Sequence, residues 1–279
     1  MSRNNQSRLG VKTPAFSVDP VSALPQTHVS ISVPTQFVEL PSQGIFYPKQ
    51  HPLHNKKSIE IKHMTAKEED VLASQPLIQK GVVLDRLAQS VIIDHSIDPA
   101  SMLICDRNAL FVATRISGYG SDYEAVVSCP VCKKKQEIVH DLNSFTPQLA
   151  SLPEGVEITD RGTCLATLPR SGVRIEFRIL NGNDERKINN VEESKQKGNE
   201  SSVTDLFKSL VYSVDGNSDT FNVLTFVENM PAYDARYLRS LIKQITPNTD
   251  LLFNLKCELC ESESVVEVPI GVKFFWPDA

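Results

Sequence analysis

Cys129-Pro130-Val131-Cys132 and Cys257-Glu258-Leu259-Cys260 are the two stretches on which the reading of this chain turns. Each sits between runs of strand-like alternation, Ala125 to Ser128 and Gln136 to His140 around the first, Leu251 to Lys256 and Ser264 to Val268 around the second. Two thiolates spaced by two residues at a turn between strands form a knuckle, and two knuckles bring four sulfurs to the corners of a tetrahedral Zn²⁺. The first cysteines of the pairs lie 128 positions apart (257 − 129), whereas a compact zinc ribbon separates its pairs by roughly 15–20 residues. The spacing predicts a ribbon split by a large insertion that folds on its own account. Closing so long a loop costs only about 0.6 kcal/mol per doubling of its length, which metal binding can offset.

Two other readings compete with structural zinc. A redox dithiol would place Cys129-Pro130-Val131-Cys132 at a helix N-terminus, where the dipole lowers the thiol pKa. Lys133-Lys134-Lys135 instead leads into a strand-like run. Two unmetallated pairs are the third reading. Four cysteines fill every position around the ion, so a zinc held by Cys129, Cys132, Cys257 and Cys260 is structural and does not activate water. Its site charge of −2 has Lys133, Lys134, Lys135 and Lys256 nearby in sequence to offset it. His140 could stand in as a ligand but reads better as an ordinary histidine. Cys105 and Cys164, in apolar or strand contexts, read as buried thiols.

The full 279 residues, 41% hydrophobic and 23% charged, describe a chain able to bury a sizeable core. A net charge of −5 argues against a protein held to nucleic acid by its overall field. No apolar run approaches the roughly 18–20 residues of a membrane span, and the N-terminus lacks a secretory pattern. Six cysteines are too few for a disulfide scaffold in a chain of this size.

Residues 1–35, with four prolines and no period, read as an extended or disordered arm. Residues 36–62 read as a β-hairpin region, with Pro41-Ser42-Gln43-Gly44 as a turn or corner and Ser58 to Lys62 as a strand. Residues 63–118 read as helical. A Thr65/Glu68 capping box opens this region, Asp98-Pro99 is an N-cap with proline at the first helical position, and Ala109, Val112, Ala113 and Ile116 form one face of a helix closed by Gly118. Residues 119–141 and 250–279 supply the two halves of the ribbon. The inserted α/β module, 142–249, starts with strands, in which Val173, Ile175, Phe177 and Ile179 alternate. Within it, 181–200 reads as a solvated polar segment. Ser202 and Asp205 then cap a helix with Val203, Leu206, Phe207, Leu210 and Val211 on its face. Pro231 opens a last helix carrying Ala235, Leu238, Ile242 and Ile245. The fold class expected is α+β, a helical region packed beside the split ribbon.

Nothing reads as catalytic. There is no zincin motif, nucleophile elbow, phosphate-binding glycine loop or dinucleotide fingerprint, and no pair of carboxylates is distinguished by spacing.

Three motifs taken together resemble a baseplate protein family of contractile-tailed phages of the T-even type. They are Phe37-Val38-Glu39-Leu40-Pro41-Ser42-Gln43-Gly44 with Tyr47-Pro48, then Arg115-Ile116-Ser117-Gly118-Tyr119-Gly120 leading to Tyr123 and the first knuckle, and Phe274-Phe275-Trp276-Pro277 after the second. The resemblance spans residues 36–277. It implies a structural or assembly component of the baseplate hub, assembled in the host cytoplasm, found in the virion tail, and working through contacts with other tail proteins. Phe274, Phe275 and Trp276 either anchor such a partner or fold onto the chain's own core. The alternative class is a zinc-ribbon nucleic-acid-binding protein, supported by Lys133 to Lys135 and opposed by the acidic composition.

Overall fold

The structure, a computed structural model, describes residues 32–186, 203–268 and 270–275. Most of the arm expected over 1–35, most of the polar segment expected over 181–200, Ser202 and Trp276 lie outside the described residues. The architecture is mixed, with helices around small antiparallel sheets.

Strand β1 (Thr35–Glu39) pairs with β2 (Ser58–Lys62), Val38 opposite Ile59. Pro41-Ser42-Gln43-Gly44 is therefore a corner opening a compact excursion between the strands, and Ile45 to Tyr47 form no strand. Gly44 has φ +72°, and a Cβ there would lie 2.5 Å from the Leu53 carbonyl oxygen and the Lys56 nitrogen. Backbone cannot yield as a flexible side chain can. Gln43 is also left-handed, at φ 53°, so conformation alone does not distinguish the two positions; the close approach does. Gly44→Val should lower stability by about 3 kcal/mol, strain and overpacking combined. Gln43→Val should cost less. Urea midpoints for the two variants check this, and equal midpoints would contradict it.

Helix α1 (Ala66–Ala73) starts at the expected capping box: the Glu68 carboxylate accepts from the Thr65 backbone N–H and hydroxyl. Glu68 is fully buried and also accepts from Lys62 Nζ at 2.7 Å and from the Ser90 hydroxyl. Burial opposes its ionisation, but the hydrogen bonds from Lys62, Ser90 and Thr65 outweigh that and hold the carboxyl at about 2. A carboxyl lower in the folded than in the unfolded chain contributes stability above the ordinary glutamate range and loses it as pH falls towards 2. Glu68→Gln should therefore flatten the fall in stability between about pH 4.5 and pH 2, measured as denaturation midpoint against pH. An unchanged acid limb would show that this carboxylate does not carry it.

Helices α2 (Gln75–Gln79) and α3 (Val83–Val91) follow, α3 burying Val83, Leu87, Ala88 and Val91. Asp98 caps only a 3₁₀ turn, Pro99–Ser101. The long helix α4 (Ile104–Tyr119) starts beyond it and ends at Gly120, φ +85°. Gly118, expected to close this helix, lies inside it. A Cβ there would come 3.0 Å from Met64 Sδ, so the glycine admits a close neighbour.

At the start of α4, Asp106 is fully buried. Its carboxylate accepts from the Ser42 N–H (2.9 Å), the Ser42 hydroxyl (2.6 Å) and the Tyr47 hydroxyl (2.7 Å), while Tyr47 Oη accepts from the Leu103 N–H. The corner residues Ser42 and Tyr47 are thus nailed to α4 by one carboxylate.

After two strands that belong to the candidate site come β5 (Glu157–Ile158), β6 (Cys164–Thr167), β7 (Arg174–Phe177) and β8 (Val211–Val214), hydrogen-bonded in that order as an antiparallel sheet. Ile175, Phe177 and Ile179 are buried as the alternation predicts. Glu176, on the opposite face of β7, is buried too and accepts from Thr163 and Ser213. Helix α5 (Val203–Leu210) stops one residue short of the expected face, because Val211 pairs with Phe177 in the sheet. Pairing with β7 overrides a helical pattern that Val211 fits equally well. Helix α6 (Thr220–Asn229), capped by Asp219 accepting from the Asn222 N–H, was not foreseen from the sequence. Helix α7 (Ala232–Ile245) buries Leu238, Leu241 and Ile245. One apolar cluster runs from Leu40 and Leu53 through α3 and α4 to Phe177, Phe207 and Leu238.

Candidate metal centre

Strands β3 (Asp122–Ser128) and β4 (Lys135–Asp141) form one two-stranded hairpin; β9 (Leu251–Lys256) and β10 (Glu263–Val268) form another. Ser128 pairs with Lys135 just before and after one cysteine turn, and Lys256 pairs with Glu263 at the same place around the other. The turns match bond for bond. Cys129 N–H donates to Lys134 O and Lys133 N–H to Cys129 O; Cys257 N–H donates to Ser262 O and Glu261 N–H to Cys257 O, all at 2.9 Å. Lys133 (φ 60°) and Glu261 (φ 55°) occupy the same left-handed position in each.

The turns face each other. The four Sγ atoms of Cys129, Cys132, Cys257 and Cys260 lie within 4.8 Å of one another, with Cys129 to Cys260 at 3.8 Å and Cys132 to Cys257 at 3.6 Å. A tetrahedral ion with bonds of about 2.3 Å to sulfur separates its ligands by about 3.8 Å. A disulfide would need roughly 2.05 Å. The residues present therefore fit a tetrahedral S₄ metal site.

Ser262, between the knuckles, contacts Cys129 Sγ at 3.5 Å and Cys260 Sγ at 3.0 Å. Hydrogen bonding from Ser262 pulls the Cys129 thiol down to about 6 and lowers Cys260 as well. At Cys132 the Lys134 N–H lowers the thiol, but burial and its three sulfur neighbours win and hold it at about 11. Four sulfurs this close share protons unless a cation replaces them. Gln136 ties the hairpins across the gap, its Nε2 donating to Lys256 O and its Oε1 accepting from the Glu258 N–H. Neither Ser262 nor Gln136 was singled out from the sequence, since polar residues beside strands carry no period.

His140 stays outside the cluster. Its ring lies 3.9 Å from that of Phe253, and Nε2 meets Ser144 Oγ. Cys105 and Cys164 are buried away from the site, and burial pushes both thiols up, Cys164 to about 12. Lys133, Lys134, Lys135 and Lys256 are exposed, and Glu258, Glu261 and Glu263 stand at the second knuckle, so the side-chain charge around the centre is nearly balanced.

A short helix α8 (Val272–Phe275) returns the chain to α4 after β10. Phe275 meets Phe111 edge-on at 6.2 Å, and Phe274 meets Tyr123 at 5.1 Å. Both phenylalanines are buried, so the chain's own core takes them. Arg115 donates to Gly120 O and lies over the rings of Tyr119 (4.9 Å) and Tyr123 (5.9 Å), setting the angle at which β3 leaves α4. The residues of the central and C-terminal motifs thus position the first hairpin against the helix.

The family model of the T4 bacteriophage base plate protein matches residues 46–276. The chain belongs to this family. Membership makes it a tail base plate protein, with other tail proteins as its natural partners. A search of curated proteins and of solved structures found no match to this base plate protein. Among the described residues, no helix of it is long and apolar enough to cross a membrane.

Proposed function

We propose that this base plate protein is a structural or assembly component of the hub region of the contractile tail, stabilised by one structural Zn²⁺ and acting through protein contacts without chemistry of its own. The observation that carries the reading is the closed S₄ cluster at the meeting of two hairpins from distant parts of a base plate family chain. Cys129, Cys132, Cys257 and Cys260 would hold the ion as a split zinc ribbon, and four thiolates leave no open position for a substrate. Residues 142–249 are then the insertion between the ribbon halves, and residues 1–35 an arm for a neighbouring subunit. Opposed acidic and basic knuckles weigh against a phosphate-binding ribbon, which needs a net basic surface.

A cryo-EM map of assembled tails tests the assignment. Density for this chain is expected in the central hub, with residues 1–35 against a neighbour. Finding the chain only in the peripheral wedges would overturn it.

A further inference from the structure

The two knuckles are alike in backbone and opposite in charge. Lys133, Lys134 and Lys135 follow the first cysteine pair, while Glu258, Glu261 and Glu263 occupy the second turn and outnumber Lys256 at its start. Lys133 and Glu261 hold equivalent left-handed positions, and Lys135 and Glu263 are the equivalent first strand residues. All seven side chains are exposed, and none forms an ion pair within 4.0 Å among the described residues. Between the cysteines, the equivalent apolar residues Val131 and Leu259 stand out from the tip, 66% and 62% exposed. Ordinary exposed turns have no need of an aliphatic side chain at the same place twice.

We propose that this tip docks onto the tip of a second copy of the chain in a two-fold symmetric contact. An isologous interface must be self-complementary, residue i meeting j while j meets i. A tip that is basic on one side and acidic on the other meets this condition in one of the two face-to-face orientations. Turning a second copy about an axis perpendicular to the line joining the knuckles sets its acidic knuckle opposite the basic one, and the reverse, with Val131 against Leu259 of the second copy at the centre. Turning it about that line itself would set like charges together, which electrostatics disfavours. The contact is confined to the tips. It belongs with small, weak interfaces, which depend on charge and on salt. The proposal rests on the shape and charge of the knuckles, so it stands or falls separately from the hub assignment.

Sedimentation equilibrium of the full-length, zinc-loaded chain tests it, at low and high salt. Wild type should dimerise at low salt and weaken at least about tenfold at high salt. Lys134→Glu with Lys135→Glu makes both sides of the tip net acidic, and Glu258→Lys with Glu263→Lys makes both net basic. Each variant alone should self-associate at least about tenfold more weakly than wild type, and an equimolar mixture should form a heterodimer. A wild type that remains monomeric would overturn the proposal. So would reversed variants that self-associate like wild type, or a mixture that stays monomeric. If a reversed variant loses its zinc, Val131→Ser with Leu259→Ser, which leaves every charge in place, must still weaken the wild-type dimer.

Discussion

Replacing Cys129 or Cys257 by serine should abolish tight zinc binding and unfold the knuckle ends of both cysteine hairpins together, whichever of the two is changed. The knuckle ends of the hairpins share a very small apolar cluster, with Val127, Cys129, Leu255 and Cys257 at its centre, whereas Tyr123, Leu251, Phe253 and Val268 at their bases belong to the main core; an isolated two-stranded hairpin is marginal in water. Structural zinc in zinc-finger peptides supplies an apparent 10–16 kcal/mol, a few-fold more than the roughly 3–6 kcal/mol that burying Val127 and Leu255 can. Elemental analysis of protein purified without chelator should find one zinc per chain. Amide exchange should then show the knuckle ends, residues 126–137 and 254–265, losing protection together in either variant, while α3 and α4, inside the main core, keep theirs. Protein that carries no zinc would end the proposal, and loss of protection in one hairpin alone would show that the two do not depend on a shared ion.

The second large effect is expected at Asp106. Asp106→Ala would leave the Ser42 N–H, the Ser42 hydroxyl and the Tyr47 hydroxyl without their acceptor in a buried place. Each such orphan costs about 1–3 kcal/mol, and with relaxation the total should come to about 3–5 kcal/mol. Asp106→Asn keeps an acceptor and should recover part of the loss. Burial raises the Asp106 carboxyl above its ordinary range despite the donors around it. With the folded value raised, its ionisation works against the fold as pH rises from the ordinary aspartate range through that raised value, a trend opposite in sign to that of Glu68. Thermal melts of the two variants decide the matter. A change below 1 kcal/mol in Asp106→Ala would mean water replaces the carboxylate at no great cost.

What the sequence made legible was whatever depended on near neighbours. The knuckles could be read because two cysteines, a spacer and flanking alternation are local, and the capping box at Thr65 and Glu68 for the same reason. Partners distant in sequence could not. Asp106 was not singled out from the sequence, because carboxylates are common in the first turn of a helix and nothing local says that Ser42 and Tyr47 reach it. Val211 fits a helical face and an alternating strand equally, and only β7 decides between them. Helix α6 escaped notice although Asp219 offers a cap, because its apolar residues, Phe221, Val223, Leu224, Phe226 and Val227, spread over more than half of the helix circumference and mark no single stripe. The charge asymmetry of the knuckles was visible in the letters; the matching of Lys133 to Glu261 needed the backbone.

The distance between the hairpins also sets a schedule for the nascent polypeptide. Cys132 and Cys257 are 125 positions apart, and ribosomes add roughly 5–20 residues per second, so the first pair emerges about 6–25 s before the second exists. If the four cysteines hold zinc as proposed, the first two are during that interval a two-ligand half-site, open to other metals and to oxidation. A chain that stalls anywhere in between keeps that half-site indefinitely. Any helper that shields or loads Cys129 and Cys132 has this window in which to act, and expression at a slower elongation rate lengthens it in proportion.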